Sequence, residues 1–384
     1  MTPRRQGLQQ GRVSAFPEVM TPRLAPIPAS LPDSVPFVGP ETLERRRGAP
    51  FCARLGANEN GFGPSPLAIK AMRAAAAEVW KYGDPTNHDL KQALARDCGC
   101  AADNIVVGEG IDGLLGLAVR LLIDAGDRVV TSDGGYPTFD FHVTGFGGQL
   151  IRVPYRDDMQ DPLGLVSRAA AAGARMVYLC NPDNPMGGWH APEVIESAVA
   201  SLPGDMLMIL DEAYVEFAPA LPRIDPADPR VLRMRTFSKA HGMAGARIGY
   251  GIGAPALVAA FDRVRNHFGV NSVAQAGALA ALGDAAHLDA TRAQVAAARV
   301  RIAEIAGANG LAALPSATNF VAVDCGGDRD FARRIVEGLA LRGVFVRMPW
   351  VAPQNRCIRV SCGPGAELDI LAEALPEVLA EARG

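Results

Sequence analysis

The sequence predicts an α/β fold built on a mainly parallel sheet, followed by a smaller α+β domain at the C-terminus. Two observations predict the first domain: short apolar runs alternate with helix-like segments from about residue 65, and polar motifs follow several of those runs directly. A third observation predicts the second domain, because an Ala-rich helical stretch replaces this alternation after about residue 270.

Helical and extended segments succeed one another along the chain. The pattern favours helices over residues 67–79, 89–98 and 112–122. Short continuous apolar runs are typical of strands buried on both faces, and they predict strands over residues 176–180 and 206–210. Strands are also predicted over residues 104–107, 128–131, 148–153 and 231–236. Beyond them, residues 272–308 are predicted to be helical, and strands are predicted over residues 319–323, 344–347 and 357–361.

Three regions follow from this order of elements. Residues 1–45 are rich in Pro and Arg and predict an extended N-terminal arm. Residues 46–270 form the predicted large α/β domain, with residues 46–80 contributing partly to the small domain. Residues 271–384 form the predicted small α+β domain.

Composition and charge exclude several classes of function. The net charge of −3 comes from 38 basic and 41 acidic residues mixed along the chain, so neither nucleic acid nor an anionic membrane is expected as a partner. No apolar run approaches the roughly 20 residues that span a bilayer, and residues 1–35 lack the apolar core of a secretory signal. The seven cysteines are odd in number and irregularly spaced. We therefore expect no disulfide framework, no metal site and a cytoplasmic location.

The segment from Thr236 to Gly242 predicts a reactive lysine. Lys239 follows two hydroxyl residues directly after a predicted strand, and Arg247 comes shortly afterwards. A lysine that forms an imine needs an amine kept out of bulk water and near neutral, while hydroxyls and one fixed cation suit a phosphate. A surface lysine in a glycine-rich loop is the alternative interpretation of the same segment.

Asp211 and Tyr214 follow the apolar run at 206–210, at the strand end where α/β sheets bind their ligands. A carboxylate there can pair with a protonated ring nitrogen, and the tyrosine can donate to a phenolate oxygen. A helix N-cap is the structural alternative for the acid.

Two further motifs also follow predicted strands directly. The segment Asn181–Gly187 follows the strand at 176–180, and its flanking prolines fix the amide of Asn184. The segment Gly108–Asp112 links a strand to a helix, whose first backbone N–H groups can bind a phosphate. Taken alone, each motif is also compatible with an ordinary turn.

Together these motifs resemble the fold-type I enzymes that use pyridoxal 5′-phosphate (PLP), the aminotransferases of class I/II, and in particular the histidinol-phosphate aminotransferase branch. The resemblance covers about residues 36–375 and implies an aspartate-aminotransferase-like fold with a seven-stranded, mainly parallel sheet. Its landmarks occur in the family's order: Asn58-Glu59-Asn60, Gly63–Pro66, Tyr82, Gly108–Asp112, Tyr136, Asn181–Gly187, Asp211–Tyr214, Thr236–Arg247, Asn319-Phe320, Arg347 and Arg359.

The resemblance implies a transaminase that moves an amino group between an amino acid, or an amino phosphate, and a 2-oxo acid. Lys239 would hold PLP as a Schiff base and move the proton, and Asp211 would pair with the pyridine nitrogen. Other residues would contact the ring oxygen (Asn184 and Tyr214), the ring face (Tyr136) and the phosphate (Gly110, Ile111, Asp112, Thr236, Ser238 and Arg247).

The same resemblance implies contacts to substrate and to a second subunit. Arg359 would bind a substrate carboxylate, and Arg347 matches a second arginine that the histidinol-phosphate branch places near its substrate. Asn60 and Asn319 would line the same pocket. Tyr82 would reach the phosphate of the neighbouring subunit's cofactor, which makes a homodimer the functional unit.

Phe37 is the departure from the family that bears on substrate. The family usually has a tyrosine here, and in the histidinol-phosphate enzymes its hydroxyl reaches the substrate phosphate across the dimer. We therefore expect histidinol phosphate to be a poorer substrate than an amino acid with an apolar or aromatic side chain. Met186 replaces the usual threonine of its turn, and Ile111 and Gly113 depart from the usual Gly-Ser-Asp-Glu, without removing the cofactor site.

Two other functions are compatible with the same motifs. One is a PLP-dependent lyase or decarboxylase similar to the threonine-phosphate decarboxylases, because the fold does not select the bond that breaks. The other is a non-catalytic PLP-binding protein, which the joint presence of Lys239, Asp211 and Arg359 disfavours.

Overall fold

A computed structural model describes residues 22–32 and 38–384. Phe37 and most of the predicted arm lie outside the described residues. The strands are β1 (Ala53–Arg54), β2 (Ile105–Gly108), β3 (Arg128–Ser132), β4 (Gln149–Val153), β5 (Met176–Cys180), β6 (Leu207–Asp211), β7 (Val231–Thr236), β8 (Gly249–Ile252), β9 (Ala312–Ala313), β10 (Phe320–Asp324), β11 (Val344–Phe345) and β12 (Cys357–Ser361).

The helices alternate with the strands through most of the chain. They are α1 (Pro26–Ser30), α2 (Pro40–Arg47), α3 (Pro66–Ala76), α4 (His88–Cys98), α5 (Gly110–Leu122), α6 (Pro137–Gly145), α7 (Pro162–Ala172), α8 (Pro192–Ala200), α9 (Pro255–Ala260), α10 (Ser272–Leu282), α11 (Ala285–Ala308), α12 (Arg329–Leu341) and α13 (Gly365–Arg383). Within the two described ranges, every helix is too short or too polar to span a bilayer.

The predicted central sheet has seven strands in the order β2-β8-β7-β6-β5-β3-β4. All of them run parallel except β8, which is antiparallel to both of its neighbours. Every residue of β5, β6 and β7 is buried. Strands β5 and β6 appear in the sequence as apolar runs, whereas β7 also carries Arg233 and Arg235, which pair with the carboxylate of Glu212. The mainly parallel α/β fold is confirmed.

Strand β8 was not predicted, because its glycines resemble a turn. A Cβ on Gly249 would lie 2.9 Å from the carbonyl oxygen of Arg235 and 3.0 Å from the backbone nitrogen of Ile111. Glycine is therefore required where β7, β8 and the start of α5 approach one another. The close approach brings the start of α5 next to the end of β7.

Helices cover both faces of the sheet. Val177 and Leu179 of β5 face one way, into a core completed by α7 and α8. Tyr178 of the same strand faces the other way, into a core that includes Leu114 of α5 and Phe139 of α6. The alternation of side chains along β5 thus distributes its residues between the two layers.

The C-terminal part contains a second, antiparallel sheet of β9, β10 and β12, with α11, α12 and α13 packed around it. Strand β1 pairs in parallel with β11, so that Ala53 lies beside Val344. This pairing joins the segment just after the arm to the C-terminal part, as the proposed contribution of residues 46–80 requires. The domain boundaries themselves stay a prediction.

The helical stretch predicted at 272–308 is divided into two helices. Helix α10 ends at Leu282 and packs against α3. The carboxylate of Asp284 then caps α11 by accepting a hydrogen bond from the backbone N–H of His287 at 3.2 Å, and it also accepts one from the hydroxyl of Ser65 at 2.5 Å. The alanine content favours helix on both sides and conceals the break.

The N-terminal arm is not extended throughout its described part, contrary to the sequence prediction. Helices α1 and α2 both begin with a proline at their first position, where the missing N–H costs no hydrogen bond. Helix α2 ends at Arg47, and the following Gly48 caps it in a left-handed conformation with φ of 76°. These start and stop residues define short helices even without a hydrophobic period.

Candidate active site

A cavity of about 420 Å³ opens at the carboxyl ends of the central strands. Asn184 lies beyond the end of β5, Asp211 is the last residue of β6, and Lys239 follows β7. All three line this cavity. Their common position after parallel strands therefore brings them together, as the sequence predicted.

Most of the predicted site residues line the same cavity. They come from the start of α5, the loop before α6, the segments at or after the ends of β5, β6, β7 and β11, the residues before β8, and the middle of β12: Ile111, Asp112, Tyr136, Asn184, Asp211, Tyr214, Thr236, Ser238, Lys239, Arg247, Arg347 and Arg359. Gly110 is the first residue of α5 and adopts a left-handed conformation with φ of 78°.

The amine of Lys239 lines the cavity. Its Nζ donates a hydrogen bond to the backbone carbonyl of Asn58 at 3.1 Å and lies 5.6 Å from the ring centroid of Tyr214. Burial, reinforced by the positive charges of Arg359 and Arg247, lowers the pKa of Lys239 to about 8. The neutral amine, which is the nucleophilic form, is therefore far more populated near neutral pH than in an exposed lysine.

Asp211 is buried in the cavity wall, where β6 ends. Its Oδ2 accepts a hydrogen bond from the hydroxyl of Tyr178 at 2.6 Å, and its Oδ1 accepts one from the backbone N–H of Ala213 at 2.9 Å. Burial raises the pKa of Asp211 to about 6, although both donors favour the ionised form. The carboxylate can thus stabilise a cationic ring nitrogen.

Tyr214 and Asn58 form a second buried pair beside the lysine. The side-chain amide of Asn58 donates to the hydroxyl oxygen of Tyr214 at 3.0 Å. Burial raises the pKa of Tyr214 above its usual value, so the hydroxyl remains protonated and can donate to an acceptor in the cavity.

Hydrogen-bond donors and a cation converge where β7 ends and α5 begins. The hydroxyl of Thr236 donates to that of Ser238 at 2.9 Å, and Arg247 Nη1 lies 3.4 Å from Ser238 Oγ. A Cβ on Gly110 would lie 2.6 Å from Arg247 Nη2, so the glycine allows the guanidinium to approach the start of α5. Backbone N–H groups at a helix start together with an arginine suit a phosphate.

Arg347 and Arg359 belong to the C-terminal part and face each other across a short backbone bridge. The backbone N–H of Arg359 donates to the carbonyl of Arg347 at 2.6 Å. Arg359 Nη1 donates to Asn184 Oδ1 at 2.6 Å, and Arg347 Nη2 donates to the carbonyl of Val38 at 2.8 Å. Burial lowers the pKa of Arg359 to about 10, which leaves its guanidinium charged at neutral pH.

Asn60 and Asn319 do not line the cavity, contrary to the sequence expectation. The Asn60 amide donates to the carbonyl of Ala240 at 3.1 Å, and the Asn319 amide donates to the carbonyl of Asn58 at 3.0 Å. These amides satisfy backbone carbonyls of the loops that form the cavity wall, so they support the site from one layer behind.

Tyr82 lies on the surface, and 83% of its area is exposed. Its ring packs against that of Phe268, with centroids 4.7 Å apart, and it is absent from the lining of this chain's own cavity. Its predicted contact with a neighbouring subunit stays a prediction. Met186, which replaces the family's threonine, is buried, and its backbone N–H donates to Asp183 Oδ2 at 3.0 Å.

The sequence assigned no site role to Asn58 or Tyr178. Asn58 stands two residues before Asn60 in the same motif, but its role requires a left-handed conformation with φ of 55° that directs both its carbonyl and its amide inward. Tyr178 lies inside the apolar run of β5, and the only sequence signal for it is a hydroxyl-bearing residue in an otherwise apolar strand.

The cavity therefore offers acidic and cationic groups on different strands, which suits a ring-containing ligand that carries an anionic group. Asp211 ends β6, Lys239 follows the adjacent strand β7, and the N–H donors at the start of α5 follow β2, three places from β6 in the sheet. Within the described residues, the Nε of Arg359 and the Oδ1 of Asn58 are buried without a hydrogen-bonding partner. Such unsatisfied polar atoms are expected where a ligand supplies the missing partner.

Comparison with known proteins agrees with this chemistry. The profile of the family "Aminotransferase class I and II" matches residues 52–375. A histidinol-phosphate aminotransferase of Anaeromyxobacter sp. (strain Fw109-5) is 35% identical over 93% of this chain and 99% of its own length.

Solved structures give the same result. The crystal structure of a histidinol-phosphate aminotransferase from Sinorhizobium meliloti in complex with PLP is 54% identical, covers 96% of this chain and 99% of its own, and has a TM-score of 0.90. A Thermus thermophilus aspartate aminotransferase, 23% identical over 94% of this chain and 100% of its own, with a TM-score of 0.76, shares the fold.

The aspartate-aminotransferase-like fold is thereby confirmed, and neither the lyase nor the non-catalytic alternative is favoured. The substrates of such an enzyme are a small-molecule amino donor and a 2-oxo acid. The chain belongs to the aminotransferases of class I and II and is a PLP-dependent transaminase.

Proposed function

We propose that Lys239 is the residue that carries PLP, because its weakly basic amine lies in one cavity with Asp211 and Arg247. Asp211 would face the pyridine nitrogen, and Asn184 and Tyr214 would contact the ring oxygen. Tyr136 would cover the ring face. The phosphate would be held by Arg247, the hydroxyls of Thr236 and Ser238, and the backbone N–H groups of Ile111 and Asp112 beyond Gly110.

When bound, PLP acts as an electron sink for the substrate's α-carbon. The chain's own contribution is to position the substrate and to move one proton. Lys239, as a free amine, would take the proton from the substrate's α-carbon and deliver it to the C4′ carbon of the cofactor. Arg359 would fix the substrate's anionic group in the orientation that exposes that proton to Lys239.

For the substrate pair, we propose glutamate and 2-oxoglutarate on one side and histidinol phosphate on the other. Arg359 and Arg347 lie within one cavity, and two guanidinium groups can accommodate two anionic groups of glutamate or the dianion of a phosphate. The relatives of 54% and 35% identity, which match nearly the whole chain, are both named as histidinol-phosphate aminotransferases.

Phe37 supports a second candidate, an amino acid with an apolar or aromatic side chain. This residue has no hydroxyl where the family supplies one to the substrate phosphate. An aromatic ring at the substrate end would also favour an uncharged side chain. The expectation from the sequence therefore stands as an alternative to histidinol phosphate.

The substitution Phe37→Tyr tests the phosphate contact directly. We expect it to raise kcat/KM for histidinol phosphate by about 10- to 100-fold, because a hydrogen bond to a charged group is worth about 1.5–3 kcal/mol. Specificity constants for histidinol phosphate and phenylalanine, with 2-oxoglutarate as acceptor, are measured in both proteins. The value for phenylalanine should change by no more than about twofold, which is within the effect of an uncoupled substitution.

The wild-type ratio in the same experiment decides between the candidates. A preference of about tenfold or more for histidinol phosphate, a difference of about 1.4 kcal/mol, supports the lead proposal. A preference of the same size for phenylalanine would instead support the second candidate, an amino acid with an apolar or aromatic side chain. If Phe37→Tyr leaves histidinol phosphate unchanged, the residue does not contact the phosphate.

The pKa of Lys239 predicts how uptake of PLP depends on pH. Lysine attacks an aldehyde only as the neutral amine, and burial lowers its pKa from the ordinary value to about 8. The initial rate of imine formation by cofactor-free protein should therefore rise with pH and reach half its maximum near pH 8. Stopped-flow absorbance measures this rate, and a midpoint near the ordinary lysine pKa would contradict the low value.

We also propose that the functional unit is a cytoplasmic homodimer. The exposed rings of Tyr82 and Phe268 form a surface pair that a second subunit could cover. Cys180, Cys325, Cys357 and Cys362 are buried as free thiols, which suits a reducing compartment.

A further inference from the structure

We propose that Tyr178 is a positioning residue for Asp211, whose orientation and charge it controls through a hydrogen bond. The inference rests on the proposed function, in which Asp211 faces the pyridine nitrogen of PLP. Tyr178 does not line the cavity. It would act through the carboxylate, from the layer of side chains behind it.

The bond follows from the register of the parallel strands. Cys180 of β5 is the neighbour of Asp211 of β6, and Tyr178 precedes Cys180 by two residues on the same face of the strand. Its side chain therefore lies diagonally behind the carboxylate, and its hydroxyl donates to Oδ2 at 2.6 Å. The backbone N–H of Ala213 donates to Oδ1 at 2.9 Å. Two donors on different oxygens fix the plane of the carboxylate.

The phenol ring is itself held in place. Tyr178 is fully buried, and its ring stacks on that of Phe139 with centroids 4.4 Å apart and an angle of 15° between planes. Phe139 lies in the first turn of α6. Tyr136, the residue just before this helix, lines the cavity. One short segment thus supplies a cavity wall and the packing that keeps the Tyr178 hydroxyl aimed at Asp211.

The hydroxyl also opposes the effect of burial on the acid. Burial raises the pKa of Asp211 to about 6, while the Tyr178 hydrogen bond lowers it and so favours the ionised form. Burial raises the pKa of Tyr178 well above its usual value, so that it remains a proton donor throughout the working range. A phenylalanine would fill the same space, but it would leave a buried carboxylate with one donor fewer.

The test compares Tyr178→Phe holoenzyme with wild type and with Tyr155→Phe. The control removes a matched hydroxyl, since Tyr155 donates to another carboxylate oxygen, Asp183 Oδ1, at 2.9 Å. In Tyr178→Phe we expect the acid limb of the pH–rate profile and the pH titration of the cofactor's absorbance to move upward by about one to two pH units. PLP affinity, measured with cofactor-free protein, should fall about 10- to 100-fold. The control should keep the wild-type acid limb.

A double-mutant cycle provides a second measurement. In an Asp211→Ala background, Tyr178→Phe should produce no further loss of PLP affinity, because the acceptor of its hydrogen bond is gone. Additive losses would overturn the inference, as would an unchanged acid limb in Tyr178→Phe or an equal shift in Tyr155→Phe. A wild type that does not bind PLP at Lys239 would overturn the proposed function as well. With PLP bound there, those outcomes overturn the role of Tyr178 alone.

Discussion

Replacing Lys239 with alanine is expected to abolish the imine absorbance of the purified protein and nearly all transamination. The substitution removes the only amine in the cavity described here and with it the group that would move the substrate's proton. Loss of that proton transfer costs about 10²- to 10⁴-fold in rate by itself. The measurements are the absorbance spectrum after addition of PLP and the rate of the half-reaction with glutamate.

The small number of lysines makes the assignment unambiguous. The chain contains only Lys70, Lys81, Lys91 and Lys239. Borohydride reduction followed by peptide mapping should place the reduced cofactor on Lys239. The control is Lys70→Ala, because Lys70 is exposed on α3, and it should keep both absorbance and activity. Cofactor mapped to another lysine would contradict the proposal.

Much of the site could be predicted because its residues follow buried strands. A parallel strand between two layers of helices is mostly apolar, so polar residues shortly after it stand out. Asn184, Asp211 and Lys239 were found in this way, and they line one cavity. The strands predicted at 176–180 and 231–236 have the bounds that β5 and β7 have in the structure.

What the sequence could not supply depends on contacts between distant segments. Asn60 and Asn319 belong to recognisable motifs, yet their amides bind loop carbonyls behind the cavity, and only the tertiary path of those loops reveals this. Strand β8 was missed because Gly249 serves a close backbone approach, which resembles a turn when read locally. Tyr178 was missed because its partner Asp211 lies on another strand.

The second large effect is expected at Arg359, whose guanidinium would bind the substrate's anionic group. Arg359 lies in the cavity with Lys239, and its buried Nε has no hydrogen-bonding partner among the described residues. Removing one member of a desolvated, hydrogen-bonded charge pair costs about 2–5 kcal/mol, so Arg359→Leu should lower kcat/KM for glutamate by about 30- to 4,000-fold. The imine absorbance should remain, because Lys239 and the groups proposed to bind the pyridine nitrogen and the phosphate are unchanged.

A conservative substitution separates charge from geometry at this position. Arg359→Lys keeps a cation but cannot form two parallel hydrogen bonds to a carboxylate, so it should recover only part of the lost kcat/KM. Arg301→Leu is the matched control, since Arg301 pairs with Asp369 on the surface, and it should leave glutamate turnover unchanged. The loss in Arg359→Leu should be shared by every substrate that presents an anion beside the reacting amine. If glutamate turnover in Arg359→Leu matches wild type, the carboxylate binds elsewhere, and Arg347 becomes the residue to test.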